Sequence, residues 1–183
     1  MSLLDEMNIC LKALTDDVSE RDYRLDDGFF SDMGGEHDVR GGEATAHVTL
    51  TRVDERTWHM ALRVKGEVVV PCDRCLDDMR LPVDASESLT VRLCSGPAQE
   101  QQDDEDTLCV EEREALLQLA WPVMEAILLD IPIQHVHETG LCNDAMVKAL
   151  EEHSAARSGE GETDGATPAA DDSWKEKLKQ IKL

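Results

Sequence analysis

Aromatic side chains are scarce in this chain of 183 residues, where they make up only 3% of the sequence. Apolar residues of all kinds nevertheless reach 41%, which is enough to form a hydrophobic core. We therefore expect a compact core made mainly of aliphatic side chains.

Positive charge is the second shortage. Lysine and arginine number 18 against 40 aspartates and glutamates, which gives a formal net charge of −22. General nucleic-acid binding depends on basic side chains that neutralise phosphates, so this balance argues against it. A strongly acidic protein is instead attracted to basic partners.

Long apolar runs are also missing, since none approaches the ~18 residues that a bilayer-spanning helix requires. The first ten residues, MSLLDEMNIC, are acidic and lack the pattern of a signal peptide. These features predict a cytoplasmic protein, in which the six cysteines should mostly be reduced thiols.

Alternating apolar and polar residues predict four strands joined by short turns. The segments are TAHVTLTRV at 45–53, TWHMALRV at 57–64, EVVV at 67–70 and LPVDASESLTVRL at 81–93. Such a series is typical of an antiparallel meander, which can curl into a barrel-like shape.

Helical periodicity appears later in the chain. Apolar residues in the segment 111–130 form one broad stripe, and Pro122 should kink that long helix. A second, short helix is expected at 143–153, with Asn143 as its cap. The predicted fold is therefore α+β, with residues 1–153 as a single domain.

The C-terminal part divides into two segments. Residues 154–171 have almost no bulky apolar side chain and are predicted to be a disordered acidic linker. Residues 172–183, with a formal charge of +2, place Trp174, Leu178 and Ile181 on one face of an amphipathic helix. Because the whole chain carries −22, residues 1–171 carry −24.

Four residues could form a metal site. Cys72 and Cys75 are spaced as in a zinc knuckle, and His137 and Cys142 could complete a Cys3His tetrahedral set. His135 is an alternative nitrogen ligand. Two other interpretations remain open, namely a redox-active cysteine pair and two small residues in a turn that binds no metal.

The other chemistry-bearing residues form no recognisable catalytic set, and we predict that the protein is not an enzyme. Cys10, Cys94 and Cys109 lie in apolar or strand-like settings and are expected to be small core residues.

The order of these motifs resembles the YceD family, the large-ribosomal-RNA-subunit accumulation proteins. The resemblance rests on VPCDRCLDDM, the segment LDIPIQHVH followed by a cysteine, and the terminal pattern that contains a tryptophan and ends in Ile181 and Lys182. The segment IPIQHVHETGLCNDAM is similar to the corresponding segment in the Bacteroidetes branch of the family.

This resemblance implies a non-enzymatic role in 23S ribosomal RNA accumulation and large-subunit assembly. The partner would be a ribosomal protein or a pre-50S particle. The family motifs correspond here to Cys72–Leu76, His137 with Cys142, and Asp171 with Trp174, Leu178 and Ile181. Asp172 and Ser173 replace a Pro-Arg pair that many members carry, so any contact of the tail with ribosomal RNA is expected to be indirect.

An alternative is a zinc-knuckle protein that contacts ribosomal RNA directly. Its basic residues would be Arg74 together with Arg63, Lys65 and Arg80, which lie near the cysteine pair.

Arg74, Trp174, Leu178 and Ile181 are the candidate partner-binding residues.

Overall fold

The computed structural model describes residues 2–35, 37–95 and 106–154. Most of the predicted acidic linker and the whole predicted C-terminal helix lie outside these ranges. Two compact units are distinguished, Met1–Val147 and Lys148–Leu183. The sheets and the candidate site described below belong to the first unit.

The described elements are four α-helices, seven strands and one 3-10 turn. The helices are α1 Leu3–Glu6, α2 Asp27–Met33, α3 Ala120–Asp130 and α4 Asp144–Ser154. The strands are β1 Asn8–Cys10, β2 Val18–Leu25, β3 Gly41–Arg52, β4 Thr57–Pro71, β5 Asp78–Cys94, β6 Thr107–Glu111 and β7 Leu116–Gln118. The 3-10 turn is Leu11–Ala13. None of the described helices is long and apolar enough to cross a membrane.

The main sheet has the strand order β2-β3-β4-β5-β6. Strands β2 to β5 pair antiparallel, which confirms the predicted meander, whereas β6 runs parallel to β5. Among the described strands, β2 and β6 lie at opposite ends of the sheet, so the sheet is open and the barrel-like shape was a wrong prediction. A small second sheet pairs β1 with β7.

One long strand, β4, replaces the two strands predicted at 57–64 and 67–70. The sequence Lys65-Gly66 indicated a turn, but Gly66 pairs with Ala44 within the ladder. A Cβ atom at Gly66 would lie only 2.3 Å from the carbonyl oxygen of Glu43 and 2.4 Å from the Cα atom of Ala44. Glycine is needed here for close strand approach and does not make a turn.

The predicted long, kinked helix is shorter than expected. Residues 107–111 and 116–118 form strands, and α3 begins only at Ala120. Pro122 therefore lies in the first helical turn, where its missing N–H has no partner inside the helix to lose. A proline at this position costs α3 no internal hydrogen bond and so does not require the predicted kink.

The core is largely aliphatic, as predicted, and α3 lies over β4 and β5. Val123, Met124 and Ile127 of α3 are buried in it. At the start of α2, the Asp26 carboxylate accepts a hydrogen bond from the Phe29 N–H at 3.2 Å. The predicted Asn143 cap is also present, since its side-chain oxygen accepts from the Ala145 N–H at 3.1 Å.

Two cysteine predictions were wrong. Cys94 is buried, as predicted, but Cys94 and Cys109 form a disulfide that joins the end of β5 to β6, so neither is a reduced thiol. Cys10 is exposed and does not lie in the core. Parallel strands cannot be joined by a tight hairpin, and a covalent link between β5 and β6 holds the last strand of the sheet in place.

Candidate metal centre

Cys72 and Cys75 occupy the turn between β4 and β5. The last strand pair is Pro71 with Asp78, and the Cys72 N–H donates to the Asp77 carbonyl at 2.9 Å. The Leu76 N–H donates to the Cys72 carbonyl at 2.9 Å, and Leu76 adopts a positive φ of 63°. This backbone path turns both cysteine side chains towards the same side, as a two-ligand knuckle requires.

The segment after α3 lies against this turn. The Asp73 N–H donates to the His135 carbonyl at 2.9 Å, and the His135 N–H donates to the Asp73 carboxylate at 2.7 Å. The His137 N–H donates to the Cys72 sulfur at 3.5 Å. These bonds hold two parts of the chain, more than 60 residues apart, at a fixed distance from each other.

The four predicted ligand atoms converge. The three sulfurs and one histidine nitrogen, from Cys72, Cys75, His137 and Cys142, all lie within 4.8 Å of one another. The Cys72 and Cys142 sulfurs are 3.9 Å apart, and the Cys75 sulfur is 3.4 Å from His137 Nδ1. Zn–S and Zn–N bonds of 2.3 and 2.0 Å in a tetrahedron require about 3.8 and 3.5 Å for these two edges.

Apolar side chains surround the sulfurs. Cys72, Cys75 and Cys142 are buried in a small cluster separate from the main core, and Met79, Val136, Met146 and Val147 pack against it. Such a setting excludes water from the ligands, which favours metal retention. The donor set, the distances and the burial all fit a structural zinc ion.

Of the shifted groups in the cluster, Cys72 alone is brought closer to the form that binds a metal, while His137 and Cys142 would release protons on ligation. Burial raises the pKa of Cys72, but N–H groups of Cys75, His137 and Arg74 outweigh it and lower the pKa to about 6. A hydrogen bond to the Cys72 sulfur raises the pKa of His137. Burial raises the pKa of Cys142, and the sulfurs of Cys72 and Cys75 raise it further. Cys72 is thus prepared as a thiolate, the form that binds metals.

The alternative ligand His135 does not join the cluster. Its Nδ1 lies 3.1 Å from the Pro132 carbonyl oxygen, and its Nε2 lies 3.6 Å from the Asp73 carboxylate. His135 instead connects the two halves of the site through its backbone. Its importance could not be predicted from spacing, because the contact depends on the backbone path of the Cys72–Cys75 turn.

The redox interpretation is not supported by the local backbone. Redox-active Cys-x-x-Cys pairs lie at a helix start, whereas Cys72 and Cys75 lie in a turn between antiparallel strands. A lowered thiol pKa suits both chemistries. The convergence of a histidine and a third cysteine distinguishes them and favours metal binding.

The candidate RNA-contacting residues are mostly paired with acids. Arg63 and Lys65 both contact Asp84, at 2.9 and 3.7 Å, and Arg80 contacts Glu67 at 3.7 Å. Arg74 is exposed at the tip of the turn. These ion pairs leave little unbalanced positive charge for phosphates. The other candidate partner-binding residues, Trp174, Leu178 and Ile181, lie outside the described residues.

The chain matches a protein-family model over about two thirds of its length. Residues 60–182 match the family model described as "Large ribosomal RNA subunit accumulation protein YceD". The matched region includes Cys72, Cys75, His137 and Cys142 and all but the last residue of the C-terminal segment. No curated protein and no solved structure matches the chain.

Proposed function

This chain belongs to the YceD family of large ribosomal RNA subunit accumulation proteins, and from that membership we propose that it supports 23S ribosomal RNA accumulation during large-subunit biogenesis. The family match over residues 60–182 is the observation that carries this proposal. The proposed role is that of a cytoplasmic binding factor and needs no catalytic step.

The proposed partner is a ribosomal protein or a precursor of the large subunit. The chain carries a net charge of −22, which disfavours direct binding to ribosomal RNA and favours basic proteins. The candidate contacts are Arg74 at the exposed turn and the basic segment with Trp174, Leu178 and Ile181. A short segment with three apolar anchors is suited to docking in a groove of a partner.

The cysteine–histidine cluster has a structural role in this proposal. Cys72, Cys75, His137 and Cys142 would hold a zinc ion, which joins the β4–β5 turn to the segment after α3. A closed four-ligand site stabilises a fold without taking part in a reaction. The bound ion would thereby hold the exposed Arg74 and the start of α4 in fixed positions.

Affinity capture with the tagged full-length protein tests this function. We expect large-subunit precursors or defined ribosomal proteins to be retained at low salt and released as salt rises, because the attraction is electrostatic. A matched sample with the tag alone measures background.

Two outcomes would contradict the proposal. Failure to retain any precursor or ribosomal protein would remove the assembly role. Tight binding of protein-free 23S ribosomal RNA, with a steep salt dependence, would instead favour the zinc-knuckle RNA-binding alternative.

A further inference from the structure

The solvent side of α3 carries an exposed stripe that includes two large apolar side chains. Trp121, Glu125 and Leu129 are spaced four residues apart and therefore lie on one face of the helix. Trp121 is 60% exposed and Leu129 is 72% exposed. The opposite face is buried against the sheet, so the folding of the described domain does not account for these two apolar side chains.

A groove lies beside this stripe, between α3 and the strands β5 and β6. Its apolar lining is Leu89, Leu108 and Leu129, and its volume is about 360 Å³. A second depression of about 300 Å³ lies next to Trp121 and shares Leu108 with the first. The two depressions and the exposed stripe together form one surface that combines apolar and acidic side chains, which we call the α3 face.

Three carboxylates border the α3 face. Glu87, Asp106 and Glu125 line the first depression. Glu87 is half-buried and lies on β5 between the inward-facing Ala85 and Leu89. Within the described parts of the chain, no lysine, arginine or histidine forms an ion pair with any of these three carboxylates.

The proximity of these carboxylates is unfavourable in the isolated domain. Burial raises the pKa of Glu87, and the charges of Glu125 and Asp106 raise it further. Three like charges beside exposed leucines and a tryptophan are accommodated best when a cation enters between them. The apolar side chains at the same time require a partner that brings aliphatic surface.

We propose that the α3 face binds a lysine- or arginine-rich segment of another protein that also carries aliphatic side chains. The aliphatic groups pack on Trp121, Leu108 and Leu129, while an ammonium or guanidinium group pairs with Glu87 and Glu125. This inference rests on the proposed function, because ribosomal proteins are the basic partners to which it applies. A nucleic acid does not fit a surface bordered by carboxylates, and a purely apolar segment would leave the carboxylates unpaired.

Binding of a defined peptide tests the proposal. The probe is a synthetic lysine–leucine peptide patterned as an amphipathic helix, titrated calorimetrically into the full-length protein. Its counterpart, with glutamate in place of lysine, is expected not to bind. Each of the variants Trp121→Ala, Leu129→Ser and Glu125→Gln is expected to weaken binding ~10-fold, the loss typical of a central interface residue.

Matched controls change exposed residues elsewhere. Ile133→Ser removes an exposed apolar side chain outside the α3 face, and Glu55→Gln removes an exposed carboxylate in the β3–β4 loop. Both controls should bind the peptide as tightly as the wild type does. Amide chemical-shift changes on binding should concentrate in α3, β6 and residues 87–89.

Three results would overturn the proposal. The first is equal peptide affinity in the α3-face variants and the controls. The second is a wild-type protein that self-associates through this face, shown by a change to monomer in the Trp121→Ala variant. The third is preferential binding of an RNA oligonucleotide to the same residues.

The same variants separate this inference from the proposed function. If the wild type and all variants capture ribosomal precursors equally well, the assembly role stands and the α3 face is not the contact. If the wild type captures none while the peptide still binds the α3 face, the proposed function fails and the surface assignment remains.

Discussion

The chemistry of the candidate site is concentrated on the sulfur of Cys72. It accepts backbone N–H groups from its own turn, Arg74 at 3.4 Å, and from the facing segment, His137 at 3.5 Å. N–H···S bonds stabilise a thiolate and fix its direction, which is the usual function of the groups around a metal ligand. The Cys72 sulfur therefore contacts both the turn and the segment that faces it.

Removal of one ligand should abolish metal retention. We expect Cys142→Ala to lower bound zinc from about one ion per chain to nearly none, because a structural zinc site needs four ligands. The melting temperature should fall with it, since metal binding contributes to folding free energy. Metal analysis and thermal unfolding, each with and without a chelator, measure both effects.

The control is Cys10→Ala, which removes an exposed cysteine outside the cluster. It should leave zinc content and melting temperature unchanged. A wild-type protein that contains no zinc when purified without chelator, and does not bind it on addition, would show that the cluster is only a packed turn.

Glu87 provides a prediction about pH. Its pKa is raised above the ordinary 4.5 by burial and by Glu125 and Asp106, so the folded state binds the proton more tightly than the unfolded state. The ionised carboxylate therefore destabilises the fold above the raised pKa, and this effect disappears as pH falls below 4.5. We expect Glu87→Gln to have a higher melting temperature than the wild type at pH 7 and an equal one below 4.5.

Thermal unfolding across this pH range measures the difference. Glu55→Gln is the matched control, because Glu55 is exposed in a loop. A Glu87→Gln variant that is less stable at neutral pH would show that the carboxylate has a stabilising partner.

At the scale of elements, the sequence predicted the antiparallel strands well and the helix after them poorly. Strands β3 to β5 have one face in the core, so their apolar residues alternate as expected. The segment 111–130 failed because Leu116, Leu117 and Trp121 fit a helical stripe by position alone. In the fold they belong to a strand and to an exposed face, and periodicity cannot distinguish short apolar runs of these kinds.

The sequence predicted the four candidate ligands, but it did not predict the contacts that hold the surrounding segments together. Cysteine spacing indicated the zinc set, whereas the disulfide and the Asp73–His135 bonds depend on which strands become neighbours. Cys94 and Cys109 come together because β6 is the neighbour of β5 in the sheet. No local pattern encodes that pairing.

The disulfide between β5 and β6 should stabilise the sheet. It spans 15 residues, and a loop of that length predicts a stabilisation of about 3 kcal/mol through the unfolded state. We expect Cys94→Ser to lower the free energy of unfolding by roughly that amount without reductant. Denaturant unfolding, compared with and without dithiothreitol, measures the contribution.

Thiol titration of the denatured chain provides the check. Four free cysteines are expected without reductant and six with it. Reducing conditions open the Cys94–Cys109 disulfide. Protein isolated under such conditions should therefore be less stable than the oxidised form. Equal stability of Cys94→Ser and oxidised wild type would mean that the bridge does not stabilise the fold.

At the scale of the whole molecule, formal charge differs between two parts of the chain. Residues 1–171 carry −24 and residues 172–183 carry +2, so a single chain offers both an acidic surface and a basic end. A protein of this kind can bind a basic partner through one part and a different surface through the other. The proposed docking of Trp174, Leu178 and Ile181 on a partner is the testable form of this idea.

Deletion of residues 172–183 tests that role. We expect association with ribosomal precursors to weaken at least ~10-fold while the melting temperature stays unchanged, because Trp174, Leu178 and Ile181 are proposed to contact the partner. A variant with Trp174→Ala alone should show part of the same loss. A lower melting temperature with intact association would mean that the segment supports the fold instead.

The separation of the ligands along the chain has a consequence for biosynthesis. Strands β4 and β5 form a local hairpin, so Cys72 and Cys75 can reach their positions soon after translation of this region. Cys142 follows Cys72 by 70 residues and arrives only when most of the chain has left the ribosome. Closure of the cluster thus marks the completion of the domain, and a nascent chain stopped before residue 142 would hold the first two thiols exposed to capture by other metals or oxidants.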